Sequence, residues 1–358
     1  MRKRNLLSAI KTFFIGIILL ISLKEESFAQ DPTFSQFYFN QLYVNPAFTG
    51  INSGLRAGVN YRDLWGHIPS KFPTYSVAVD AQDLSLSSGI GLNAWSDNEG
   101  EGYLRTQCIS GLYSYRVVLS PKNWVFQAGF QTSIINKKID WSKLIFSDQL
   151  HPLFGITGPT QNPTPNQQSV TFADFTAGAL IKGNHRNRLK NLIATYTFGV
   201  AMHHMVQPDE SIIGQQSRLP KNLVIHFGAV VPVRYEVKKY KILLVPNILY
   251  ERQTTMTDFV FSFNVMMKPI FYGISYRNEI PIIPDMDKAD AVIVNVGYAG
   301  DQNKEALVYK VGYSYDLTIS DLRSNTAGTH ELALIIEFRD FKFSQHANAK
   351  KKLECPNF

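Results

Sequence analysis

The chain has 358 residues, a formal net charge of +7, 45% hydrophobic and 13% aromatic residues, and two cysteines, Cys108 and Cys355. That length suits two soluble domains or one large barrel, no Pro/Gly/Ser linker or charge block divides it, and the charge is too slight to argue for nucleic acid. Two cysteines exclude a disulfide framework and leave room for a single bridge.

The first 29 residues have the make-up of a cleaved export signal. Arg2, Lys3 and Arg4 precede an apolar run over 13–23, and Ser27 and Ala29 put small residues where a signal peptidase reads. The run is too short for an anchor, and no cysteine near the cut suggests a lipoprotein. The mature chain is expected to start at Gln30; loss of 1–29 removes five basic and two acidic side chains and lowers the net charge to +4. No later apolar run is long enough for a transmembrane helix.

Residues 30–53 follow. Phe34, Phe37, Tyr38, Phe39, Leu42, Tyr43 and Val44 are too aromatic to leave in water, yet Gln36, Asn40, Gln41 and Asn45 interrupt any strand pattern. The segment needs a covering surface, so it is expected to plug the lumen or the periplasmic mouth, or to dock a periplasmic partner.

From residue 54 the period becomes two. Leu55, Val59 and Tyr61 oppose Arg56, Asn60 and Arg62; Tyr75, Val77 and Val79 oppose Thr74, Ser76 and Asp80. Strands are expected over 54–62, 73–81, 88–95, 104–119, 123–135, 171–182, 192–205, 222–235, 241–252, 256–267, 269–278 and 291–299. The last two form a hairpin: Leu307, Tyr309, Val311, Tyr313 and Tyr315 oppose Lys310, Gly312, Ser314 and Asp316, then Leu332, Leu334, Ile336 and Phe338 oppose Glu331, Ala333, Glu337 and Arg339. A face rich in tyrosine against a charged one, repeated about fourteen times, predicts an all-β transmembrane antiparallel β-barrel over 54–340 with lipid outside and water within. A soluble sandwich also alternates, but seldom so often.

The connections agree with that reading. If the first strand starts in the periplasm, the outer connections include 137–170, 206–221 and 279–290, and the others are short. Both termini then face the periplasm, with 341–358 as a periplasmic tail.

The mature start, Asp31-Pro-Thr-Phe-Ser-Gln36 followed by Asn45-Pro-Ala-Phe-Thr-Gly50, resembles the opening signature of the PorP/SprF family of type IX secretion outer-membrane proteins. Further matches are Asn60-Tyr-Arg-Asp63, Phe72-Pro-Thr-Tyr75 with Asp80, Gly312-Tyr-Ser-Tyr-Asp316 and Gly328-Thr-His-Glu-Leu332. The resemblance implies a non-enzymatic barrel in the Gram-negative outer membrane. It would work with other type IX components and hold the C-terminal domain of a secreted adhesin used in gliding or attachment. A passive porin or hydrophobic-solute channel is the alternative.

Other constellations have plainer explanations. His203 and His204, as strand neighbours, should point to opposite faces and so cannot share a metal. His330-Glu331 lacks the second histidine of a zinc-protease helix, since Leu334 stands there. Asp97, Glu99 and Glu101, and Asp285, Asp287 and Asp290, are expected as solvated loop charges without the spacing of a calcium loop. No nucleophile elbow, phosphate loop or nicotinamide fingerprint is present, so neither enzyme activity nor a cofactor is expected. Partner contacts are expected at Asp31, Phe34, Gln36, Asn45 and Pro46 in the opening segment, and at Gln161, Asn162 and Pro163 in the proline- and amide-rich stretch 158–168.

Overall fold

The structure is a computed structural model. It describes residues 31–339 and 341, apart from 53, 67–71, 84–86, 101–102, 121–122, 162–166, 188–191, 236–240, 268, 279–288, 301–305 and 320–326. The chain divides into two units, Met1–Asp31 and Pro32–Phe358, and everything below concerns the second. Cys355 and the tail lie outside the described residues, as do Glu101, Asp285 and Asp287.

Fourteen strands close into one antiparallel barrel. They are β1 (Leu55–Leu64), β2 (Phe72–Asp83), β3 (Ser88–Glu99), β4 (Leu104–Ser120) and β5 (Trp124–Ile139), then, after a two-stranded hairpin of β6 (Leu150–His151) and β7 (Gly155–Ile156), β8 (Ser169–Asn187) and β9 (Leu192–His203). The wall continues through β10 (Asn222–Tyr235), β11 (Lys241–Gln253), β12 (Met256–Met267), β13 (Ile270–Asn278), β14 (Ala289–Ala299), β15 (Leu307–Thr318) and β16 (Thr329–Phe338). Closure joins β1 to β16 in register from Leu55 opposite Phe338 to Asp63 opposite His330, which leaves the sheet no free edge.

Side-chain alternation explains why these segments choose this fold. Val59, Val77, Leu92, Ile109, Tyr272, Val296 and Leu332 lie exposed on the outer surface, whereas Arg56, Asn60, Arg62, Ser76, Asp80, Lys310, Asp316 and Glu331 are buried inside. Only a closed barrel satisfies every backbone hydrogen bond while presenting the first set to lipid. Rings pack across the outer face, as Tyr61 does on Tyr75 at 5.1 Å and Phe130 on Phe175 at 5.9 Å.

Several strands outrun the expected bounds. β5 reaches Ile139 and β8 spans Ser169–Asn187, because ladder hydrogen bonds persist past the apolar band with polar side chains in step: Asn136 Nδ2 donates to Thr171 Oγ1 at 2.8 Å. For the same reason Asp97, Glu99 and Asp290 are strand residues rather than loop charges. Thr74 Oγ1 donates to Asp97, and Arg277 Nη1 to Asp290 at 3.4 Å.

The longer described connections, 140–161 and 204–221, lie at one end of the barrel, where the two-residue turn Thr254–Thr255 also sits, and β2, β4 and β8 run to the other, short-turn end. Through the lumen between these ends passes the segment before β1. Ser35 lies at the level of the Arg62–Glu331 pair near the long-loop end, and Gly50 lies beside Asp80 near the short-turn end. Residues 35 and 36 are therefore not on the short-turn side, where strand parity would put the N-terminus. A buried carboxylate at Glu331 supplies the reason, as described next.

Candidate functional site in the barrel lumen

The lumen is occupied by residues 34–51, which are held at three levels. At the top, Glu331 accepts the backbone N–H of Ser35 on Oε2 at 2.7 Å and that of Gln36 on Oε1 at 3.0 Å, and its carbonyl accepts Gln36 Nε2 at 3.2 Å. Ser35 Oγ donates to Asp316 Oδ2 at 2.6 Å and accepts from Arg62 Nη1 at 2.6 Å and Arg277 Nη2 at 2.9 Å. Arg277 Nη1 stands 3.2 Å from Asp316, and Arg62 within 3.6 Å of both carboxylates. Two buried cations thus balance two buried anions around one hydroxyl, the condition under which buried charge is tolerated.

In the middle, the segment supplies the barrel with an apolar core. Phe37, Tyr38, Phe39 and Val44 pack against Val224, Val245, Val260, Met266 and Phe271, with Phe39 and Phe271 rings 5.8 Å apart. Burial holds the Tyr38 phenol far above its ordinary pKa, and the Glu331 charge adds to the effect. Phe34 meets Tyr43 edge-on at 5.2 Å, and Tyr43 meets Trp95 at 6.1 Å. Arg56 joins this level to the wall, donating to Gln41 Oε1 at 2.6 Å and Asp80 Oδ1 at 2.7 Å.

At the bottom close packing is joined by hydrogen bonds to the wall. After one helical turn, Gln41–Val44, Asn45 caps a 3₁₀ turn, Pro46–Phe48, by accepting the Ala47 N–H on Oδ1 at 2.9 Å, with proline at the first position where its missing N–H costs nothing. Asn45 Nδ2 reaches the Val200 carbonyl at 3.2 Å and His226 Nε2 at 3.0 Å. This turn presses into a gap formed by Gly129 and Gly178, which face each other across β5 and β8. A Cβ on Gly129 would overlap the backbone of Pro46 and Ala47, and one on Gly178 would overlap Asn45. Below, the Thr49 carbonyl accepts from Gln127 Nε2 at 2.6 Å and Ser114 Oγ at 2.7 Å, and the Gly50 N–H donates to Asp80 at 2.7 Å.

Of the expected contact residues, Phe34, Gln36, Asn45 and Pro46 are buried inside the barrel, and Asp31 belongs to the other unit. While the segment is seated, these four buried side chains cannot form an open docking patch. Gln161 is elsewhere, exposed, with its N–H on Asp148 Oδ2 at 2.7 Å; Asn162 and Pro163 lie outside the described residues. His203 and His204 do not point to opposite faces. β9 ends at His203, His204 turns through a φ of 54°, and both rings face inward, His203 Nε2 near the Val44 carbonyl and His204 Nδ1 3.0 Å from Asp174. The partners Arg62, Arg277, Asp316 and Glu331 and the Gly129–Gly178 gap were not singled out from sequence. Arg62, Asp316 and Glu331 nevertheless sit in the three motifs Asn60–Asp63, Gly312–Asp316 and Gly328–Leu332, where their inward parity was the available signal.

A family model described as Type IX secretion system membrane protein PorP/SprF matches residues 26–336, and so takes in every residue of this lumen contact. The chain belongs to this family. No curated protein matches it. Among solved structures, it is similar to a TodX monoaromatic hydrocarbon channel mutant (11% identity, 83% of this chain and 92% of that one, TM-score 0.40). It is also similar to the COG4313 outer membrane channel from Pseudomonas putida F1 (11%, 80% and 94%, 0.37) and to the translocator domain of the autotransporter NalP from Neisseria meningitidis (13%, 80% and 88%, 0.36). This PorP/SprF protein is an outer-membrane β-barrel, and its family and fold are those of a secretion membrane protein, not of an enzyme class.

The long loops of this PorP/SprF barrel are built, not slack. Asp140 accepts from the Ser142 hydroxyl at 2.6 Å and its N–H at 3.2 Å, bonds that hold its carboxyl below the ordinary value. Trp141 Nε1 donates to the Gln167 carbonyl at 2.9 Å, and Gln149 accepts the Phe146 N–H at 2.8 Å. Lys137 Nζ bonds Glu210 at 2.7 Å, tying 204–221 to the root of 140–168. At the tip of the β6–β7 hairpin, Leu153 and Phe154 are 84% and 76% exposed, between exposed Leu150 and Ile156.

Proposed function

We propose that this protein is the outer-membrane holder of a secreted adhesin, which it grips by the adhesin's C-terminal domain on its long loops, and that its own N-terminal segment closes the lumen. The observation that carries the reading is the pairing of a lumen occupied along its length by residues 34–51 with a braced, apolar-tipped loop surface. A passive pore needs the reverse, an open polar lumen and no use for Leu153 and Phe154 in water. A stable grip on a folded domain buries roughly 800 Å² per partner. The connections 140–168 and 204–221 are the long outer surfaces that can supply it, with the β6–β7 tip as the apolar anchor. Membership of a type IX secretion family fits such a partner and other components of that machine.

The test is a variant with Leu153→Asp and Phe154→Asp, beside one with 140–168 shortened. Each should still insert and shift on heating in lauryl-sulfate gels, while the adhesin appears in the medium instead of on the cell. Retention of the adhesin by both variants would move the contact away from these loops.

A further inference from the structure

The N-terminal segment does not fill the sector of the lumen facing β8–β11. Between them lies a recess with about 680 Å³ of empty space, part of it open to solvent. Its inner side is formed by Phe37, Tyr38, Val44, Phe48 and Ile51, and its wall includes Thr195, Thr197 and Val230. His226 lines it too, its Nε2 3.0 Å from the Asn45 side chain and its imidazole 4.8 Å from the Phe48 ring. Lys182, Thr195 and Val230 lie toward the short-turn ends of β8, β9 and β10, so the recess reaches toward that end.

Among the described residues that line it, the recess has one charged side chain, Lys182, and no carboxylate. Arg56, Arg62, Arg277 and Lys310 each face the lumen with an acidic partner. Lys182 points inward, partly buried, with no ion pair among the described residues. An ammonium beside aromatic rings is satisfied by water or by an anion, and the rings next to it favour an apolar body over water.

We propose that this recess binds a small anionic amphiphile, a single chain or ring ending in a carboxylate, with its apolar part between Phe48, Ile51 and Val230 and its carboxylate on Lys182 Nζ. The plainer alternative is a lysine that stretches along the wall to reach water at the mouth. Charge dependence separates the two.

The experiment uses the full barrel in neutral-lipid nanodiscs with octanoate carrying a terminal fluorine, followed by ¹⁹F NMR, and empty nanodiscs as the blank. Saturable binding above the blank is expected, displaced by plain octanoate. Lys182→Met should weaken it about tenfold, the scale of one charge-assisted contact, while octanol binds the wild type and this variant equally. Lys143→Met, in the outer loop, should change nothing. Thr197→Phe should abolish binding of both probes by filling the recess. If that variant fails to shift on heating, Val230→Trp fills the recess from another strand. Binding no greater than to empty nanodiscs, binding untouched by Lys182→Met, or binding untouched by a folded filling variant overturns the proposal.

Discussion

The two ends of the lumen segment are held by different physics. At the long-loop end, Ser35 and Gln36 are fixed by charge: Glu331, Asp316, Arg62 and Arg277 converge on one hydroxyl and two N–H groups. At the other, Asn45–Phe48 is fixed mainly by shape, the Pro46–Ala47 backbone pressed against Gly129 and the Asn45 side chain against Gly178. An ionic hold responds to a change of protonation or to an entering charged group, and its parts can be replaced by apolar ones as a set. A steric hold responds only to size. The segment therefore has one end that can be released and one that is structural.

The largest effect should come from the steric end. Gly129→Leu puts a side chain into the backbone of Pro46 and Ala47, which has no rotamer to yield, so a loss of about 3 kcal/mol or more is expected. Either the segment leaves the lumen and a steady conductance appears, or no heat-shifting barrel forms; a quiet, normally shifting variant would show that the gap is not needed.

Glu331→Gln comes next. It leaves Arg62 without one of its two anions and weakens both N–H bonds, an expected cost of about 2–4 kcal/mol in seating the segment. Protease cleavage near Ser35 in the detergent-held barrel reads it. Replacing Arg62, Glu331, Asp316 and Arg277 together by Met or Leu should restore protection, and failure to do so would make the charges more than a set of balanced pairs. Asn45→Ala should cost about 1–3 kcal/mol, since it removes the cap of the 3₁₀ turn and takes Asn45 Nδ2 from the buried His226 Nε2.

The smallest effect lies outside the lumen. The Asp140 carboxyl is held below its ordinary value by Ser142, so its contribution to the 3₁₀ turn Trp141–Lys143 is present at neutral pH and fades as pH falls through the lowered value. The protection of the Ser142 amide against exchange, relative to its intrinsic rate at each pH, should fall in acid while that around Ser35 holds.

Much of this was legible because lipid and water impose opposite demands on alternate residues. Val77 against Ser76, or Tyr309 against Lys310, could only be read one way, and fourteen such runs closed the barrel. The crowding of aromatics over 34–44 also announced that a surface had to cover them. Strand ends were harder, since the ladder at Asn136–Lys138 runs on without apolar side chains. His204 was misplaced because a positive φ cancels the alternation on which the expectation rested. Gly129 and Gly178 gave no local sign of their purpose: a glycine's use there is the absence of a Cβ, visible only once the partner backbone is in place. The motifs Asn60–Asp63, Gly312–Asp316 and Gly328–Leu332 were conspicuous as strings, but that Arg62, Asp316 and Glu331 meet around Ser35 is a fact of barrel closure.

Conductance across a planar bilayer tests the central claim, closure of the lumen by residues 31–50, most directly. The intact protein should show no steady current, and removal of 31–50 should open a stable pore in a barrel that still shifts on heating. A large current through the intact protein, unchanged by the deletion, would contradict it.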